Sequence, residues 1–201
     1  MSEKRMQGED GPVRLSDTNE DSDRVLVTKR VIFFALRDLV GERDFGSVSA
    51  SDIIERAGVS RSTFYRCFSD KFDVANWAYK RYKNIRLQDK SQYYSFETSL
   101  RAQLEHLSEN REFFAAALRY RGQNSLSDYM VETNEEYMLQ CWQAAHGKAP
   151  GYEDASAIAF SAAGLSYLLK RWVFDGCVGN LDAIVSSVCD CIPSTVLETL
   201  F

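Results

Sequence analysis

From Arg24 onward the apolar residues recur at helical spacing. Ile32, Leu36, Leu39 and Val40 stand at i, i+4, i+7 and i+8, which predicts an amphipathic helix over about 24–42. The pattern stops near Asp44-Phe45-Gly46. Ser49-Ala50-Ser51-Asp52 then forms a capping-box pattern, a hydroxyl at the N-cap and an acid three residues on. It opens a short helix carrying Ile53, Ile54 and Ala57. Gly58 stands just past its end, where a residue of positive φ commonly closes a helix. Ser60 can cap a further helix from Arg61 to about Phe68. Asp70-Lys71-Phe72-Asp73 repeats the capping pattern and opens a longer helix with Val74, Trp77, Ala78, Tyr82 and Ile85 on one face.

The second half has the same period. Phe96, Leu100, Leu104 and Leu107 form one apolar stripe. Asn110 can cap a short helix bearing Phe113, Phe114, Ala117 and Leu118. Arg121-Gly122-Gln123-Asn124-Ser125 is a break. A long helix is predicted from Leu126 to about His146, and another from Tyr152 to about Phe174, separated by a loop at Gly147–Gly151. Asn180 can cap a last helix with Leu181, Ile184, Val185 and Val188. Pro193 breaks it, and a short turn or helix follows from Ser194. The fold class predicted is all-α.

Composition narrows the class. The chain has 201 residues, 45% of them apolar and 26% charged, with only 3 Pro and 11 Gly. These values suit a globular protein with a core and exclude collagen-like and low-complexity chains. Residues 1–22 are polar and rich in acids, and read as a disordered tail with no secretory signal. The longest uncharged stretch, Ala155–Leu169, is too short for the roughly 20 residues of a membrane span. Cys67, Cys141, Cys177, Cys189 and Cys191 are an odd number at unpaired spacings, so a reducing cytoplasm is expected, with no disulfide framework and no metal site.

Charge is informative once divided by region. Residues 1–23 carry 3 basic and 7 acidic side chains, residues 24–90 carry 14 and 8, and residues 91–201 carry 7 and 14. A basic segment thus lies inside a chain of net charge −5. Such a segment suits a polyanion, although a solvated basic face would look the same.

The two short helices around Gly58-Val59-Ser60 match the helix-turn-helix pattern, whose second helix enters a DNA major groove. That second helix offers Arg61, Ser62, Thr63, Tyr65 and Arg66 to solvent and retains Phe64 and Phe68 as anchors. It lies in the middle of the basic segment.

The run Asp52-Ile53-Ile54-Glu55-Arg56-Ala57-Gly58-Val59-Ser60-Arg61-Ser62-Thr63-Phe64-Tyr65-Arg66-Cys67-Phe68-Ser69-Asp70-Lys71 resembles the DNA-binding region of TetR-family transcriptional regulators. Within the family it looks most like the branch that includes dihydroxyacetone-kinase operon regulators. The resemblance covers about residues 24–86. It implies a helix-turn-helix DNA-binding domain over 23–70, a connecting helix over 71–88 and a helical effector-binding and dimerisation domain over 89–201. Carried onto this chain, it implies that Ser49 and Ser51 touch the DNA backbone. Arg61, Ser62, Thr63 and Tyr65 would form the groove face, and Lys71 would pair with phosphate. Lys29 and Arg30 would add weaker contacts. Ser49 is equally readable as a helix cap alone. Arg56 reads as a solvated or intrahelical pairing residue. The chain departs from the family at Cys67, where His is common, and at Asp44, where Gly is common. Asp tolerates the left-handed conformation, so the turn at Asp44 is expected to survive.

The resemblance further implies a small organic effector and a homodimer. Candidate pocket aromatics are Phe113, Phe114, Tyr129, Tyr137, Trp142, Phe160 and Tyr167, with Trp172 beside them; ordinary core is the alternative for each. Gln123 and Asn124 read either as polar pocket groups or as loop. Small residues over 155–166 suit close helix approach, either across a dimer interface formed by about 152–191 or at the centre of the chain's own domain.

Enzymatic readings find little footing. His106 and His146 stand far apart, and no phosphate loop, dinucleotide fingerprint, zinc-protease motif or nucleophile elbow is present. Cys189-Asp190-Cys191 lacks partners for a metal. The expectation is a non-enzymatic, cofactor-free regulator, repression being the expected mode, that binds a pseudo-palindromic operator in double-stranded DNA and no membrane. A helical adaptor whose C-terminal domain docks a partner protein is the alternative, and a helical enzyme a more distant one.

Overall fold

The computed structural model describes residues 23–80 and 95–200. The expected tail and residues 81–88 of the expected connecting helix lie outside this set, as do Tyr82 and Ile85. Among the described residues the chain is helical with no strand. Helix α1 spans Asp23–Glu42 and a 3-10 turn spans Phe45–Ser47. They are followed by α2 (Ala50–Ala57), α3 (Arg61–Cys67) and α4 (Lys71–Lys80). The second half contains α5 (Phe96–Glu109), α6 (Arg111–Arg119), α7 (Leu126–His146), α8 (Tyr152–Phe174) and α9 (Leu181–Cys191). A single turn, α10 (Ser194–Leu197), runs into a 3-10 turn at Glu198–Leu200.

The helix ends follow local chemistry. Ser49 accepts from the Asp52 amide at 3.2 Å, and the Asp52 carboxylate accepts from the Ser49 amide at 2.8 Å. This reciprocal box satisfies two amides that a bare helix end would leave orphaned. Gly58 closes α2 at φ 63°. Ser95, Ser125 and Asn180 cap α5, α7 and α9. Asn110 departs from expectation. Its side chain does not cap α6 but donates to the His106 carbonyl at 3.1 Å, closing the end of α5 instead. Asp44 also departs, with φ −59° and ψ 137°, so the turn after α1 needs no left-handed residue.

Packing joins the two halves. Ile32, Leu36 and Leu39 of α1 are buried as the periodicity predicts. Phe33, off that stripe, is buried too, because its other side meets α6: the Phe33 and Phe113 rings stand edge to face at 5.2 Å. The α7 and α8 helices form the most extensive pair, with Ser161, Ala162 and Ser166 of α8 buried. Small residues there allow the close approach. The α5 helix packs on α9, with Arg101 paired to Asp182. His106 of α5 is buried with its Nε2 3.1 Å from the Ala78 carbonyl, tying α5 to α4.

Candidate nucleic-acid interface and effector cavity

The α2–turn–α3 unit is anchored from inside by Ile53, Phe64 and Phe68, all buried. With these facing inward, Arg61, Ser62, Tyr65 and Arg66 face outward. Tyr65 is half exposed, its ring edge to face with Phe64 at 5.2 Å. The Arg61 guanidinium donates to the Ser51 hydroxyl at 3.1 Å, bringing α2 and α3 together at one exposed point. Guanidinium, hydroxyl and phenol on one face can donate to phosphate oxygens and to base edges. Thr63 is half-buried; its hydroxyl lies 2.8 Å from that of Ser60, which caps α3 by accepting from the Thr63 amide.

Two expected contacts are committed elsewhere. The Ser49 hydroxyl donates to Asp52 Oδ2 at 2.7 Å, so its proton serves the cap. Arg43 adds its guanidinium to the same carboxylate oxygen at 3.0 Å. The Ser49 bonds and Arg43 hold the Asp52 carboxyl down to about 2. Lys71 is the larger departure. Its ammonium donates to the carbonyls of Phe45, Gly46 and Val48 at 2.9, 2.7 and 2.7 Å. An ammonium has three N–H donors, and all three are spent on the turn before α2. It also sits over the rings of Phe45 and Phe72. Burial pushes the Lys71 ammonium below the ordinary lysine range, while Asp44, Asp70 and Asp52 oppose that shift. Lys71 thus clamps the turn instead of reaching outward. Arg56 pairs across helices, with both guanidinium nitrogens on Glu42 of α1 at 2.8 and 2.9 Å, rather than within its own helix.

The effector candidates separate into three groups. Phe113 and Phe114 are core, stacked edge to face on one another and on Phe33 and His106. Trp142 is buried at the end of α7 against the His146 ring at 4.1 Å, and Tyr129 is half-buried beside the core. The indole of Trp172 donates to the Val178 carbonyl at 2.9 Å. Phe160 and Tyr167 point away from the interior, 75% and 58% exposed on α8. Their aromatic character suggested a pocket, but the burial of Ser161, Ala162 and Ser166 turns the opposite face outward. Gln123 and Asn124 lie in an exposed loop, Asn124 at φ 62°. Of the seven, Tyr137 lines a small cavity of about 20 Å³ among α5, α7 and α8, while Phe113 borders a more open hollow with Arg37, Asp38 and Arg111. The small cavity's apolar walls include Phe96, Leu100 and Met138, and its polar lining includes Gln103 and Asn134. The sequence signal for Gln103 is its place beside the α5 apolar stripe, three residues after Leu100 and four before Leu107, which predicts its burial but not the cavity. Among the described residues no group of His, Cys, Asp and Glu could hold a metal ion. Among them, too, no single helix is long and apolar enough to cross a membrane.

Comparison with known proteins identifies this arrangement. Residues 32–76 match the family described as "Bacterial regulatory proteins, tetR family". Residues 94–193 match a "Transcriptional regulator C-terminal region". The chain belongs to the tetR family. The tetR match covers α2, α3 and most of α1 and α4, so the unit built around Gly58 is the DNA-binding helix-turn-helix of a transcriptional regulator. Family members are regulators and not enzymes. A curated relative, the HTH-type dhaKLM operon transcriptional activator DhaS of Lactococcus lactis, is 29% identical over 89 residues. That match spans 44% of this chain and 48% of the relative, about half its length. Among solved tetR-like structures, the dihydroxyacetone kinase operon activator DhaS superposes with a TM-score of 0.59 at 19% identity, covering 87% of this chain and 97% of that one. A TetR regulator from Streptococcus agalactiae superposes at 0.53 with 20% identity, covering 82% and 93%. These likenesses establish the fold.

Proposed function

We propose that this protein is a ligand-responsive regulator that binds a pseudo-palindromic operator as a homodimer. The observation that carries the reading is the outward face of α3, joined to Ser51 of α2 through Arg61. In this reading Arg61 reads bases, while Tyr65, Ser51 and Ser62 fix register on phosphates. Thr63 contributes through its exposed edge. Lys71 and Ser49 act indirectly, by holding the turn and the cap that aim α2. The dimer forms through α8 and α9. Support comes from Phe160 and Tyr167, large side chains that an isolated chain would leave in water, flanked by the small Ala163 and Gly164. A two-fold pair of reading helices matches half-sites about one DNA turn apart. Effector binding in the second half favours one dimer geometry and so shifts DNA affinity. In this reading the protein works in the cytoplasm, where its DNA target would be reached. Repression follows where the operator overlaps a promoter; the Lactococcus relative is named an activator.

Selection of bound duplexes from a random DNA pool at near-physiological salt tests this reading. A two-fold-symmetric motif is the expected result. On that motif Tyr65→Ala weakens binding to all sequences alike, whereas Arg61→Ala also relaxes sequence preference. No enrichment from a folded dimer overturns the reading and favours the adaptor alternative.

A further inference from the structure

The cavity among α5, α7 and α8 has a chemistry that specifies a ligand. It rests on the reading of the second half as an effector domain and names the class of effector. Gln103 is 3% exposed, and with only the Tyr79 hydroxyl beside its amide, at least one of its two Nε2 hydrogens has no acceptor among the described residues. An amide nitrogen buried in that way costs stability unless something else accepts its protons. Its neighbour Asn134 is committed, donating to the Ser166 hydroxyl at 2.7 Å, which in turn donates to the Ala162 carbonyl at 2.8 Å. The Tyr79 hydroxyl of α4 lies against both amides. No acidic or basic side chain of the described residues lines the cavity. A charged guest would lose its hydration with no counter-charge to replace it. The walls beyond the amides are Phe96, Leu100, Met138 and Leu165.

We infer that this cavity binds a small uncharged molecule that presents a carbonyl or hydroxyl oxygen to Gln103 Nε2 and an apolar remainder to Leu100 and Met138. The volume of about 20 Å³ holds roughly one water. A larger guest therefore enters only by moving a wall, and α4 stands directly behind the amides through Tyr79. Occupancy is thus coupled to the helix whose first residue, Lys71, grips the turn before α2.

Calorimetry on the full-length protein without DNA tests the inference with three probes of similar size: 2-pentanone, butyrate and butylammonium. The expected result is binding of 2-pentanone and of neither ion. Gln103→Met, which keeps the volume and removes the donor, weakens 2-pentanone binding about tenfold. Leu100→Phe fills the cavity and abolishes it. Ser99→Val, at the half-buried edge of the cavity, gives the answer if the core variants do not fold by circular dichroism, with weakened binding expected there also. Equal binding of either ion, unchanged binding by the variants, or no binding of 2-pentanone overturns the inference; in the last case the cavity holds water only. Operator binding is measured on the same samples. Failure of the probe with operator binding intact removes this inference alone, whereas failure of operator binding removes the reading beneath it.

Discussion

Replacing Lys71 with Met separates a structural clamp from a phosphate contact. The perturbation keeps an unbranched side chain of similar length and deletes three donors and the charge over Phe45 and Phe72. A hydrogen bond to a charged group contributes about 1.5–3 kcal/mol, and three would exceed what a marginally stable domain can lose. The real cost is smaller, because Gly46 is exposed and its carbonyl returns to water. The carbonyls of Phe45 and Val48, whose bonds to Lys71 are partly buried, do so less easily. These two set an expected loss of about 2–4 kcal/mol, or roughly 5–10 °C in the midpoint of a chain this size. Thermal unfolding followed by circular dichroism reads the first number. The slope of log affinity against log salt, on an operator and well below the transition, reads the second. A phosphate-pairing lysine contributes about 0.9 to that slope; a clamp contributes nothing. The expected outcome is a lowered midpoint with an unchanged slope. A midpoint that stays put while the slope falls by about 1 would refute the clamp and restore Lys71 to the DNA face.

Other outcomes follow from the same geometry. Asp52 binds its proton more weakly when folded, with its carboxyl at about 2 against an ordinary 3.8, so its contribution is present above pH 4 and lost as pH falls toward 2. Asp52→Asn should flatten the acid limb of a stability–pH curve measured by urea unfolding. Gly58→Ala meets no atom within 4 Å, so its cost is conformational alone, about 1 kcal/mol in the same assay, from the φ of 63°. Phe160→Glu places a charge where the proposed partner subunit packs, and sedimentation should show monomers with an intact helical spectrum.

The DNA-binding half was largely legible because its determinants are local. A capping box, a glycine after a helix and a three-residue turn act through backbone groups a few positions apart, so Ser49, Asp52, Gly58 and Ser60 announce the helix-turn-helix without tertiary knowledge. The outward set Arg61, Ser62 and Tyr65 follows from the spacing of Phe64 and Phe68, since a helix that buries one face must present the other. Lys71 escaped this logic. Its partners lie 23–26 residues away, and they are backbone carbonyls, which carry no sequence signature.

In the second half the balance reverses. Periodicity located α5 to α9, because each helix has an apolar side whatever it packs against. It could not say which aromatic faces which neighbour. Phe113 and Phe160 are the same residue type on two amphipathic helices, yet one is core and the other is 75% exposed. The difference arises because α6 meets α1 through Phe33 while α8 meets α7 through its small residues. The lining of a cavity is equally non-local. Gln103 stands beside an apolar stripe, and only the convergence of α5, α7 and α8 turns that position into the lining of a cavity. The sequence alone determined the helices, most of their caps and the reading unit, through interactions that close within one or two turns. The tertiary structure decided the clamp, the core and the cavity, since each depends on which helices meet.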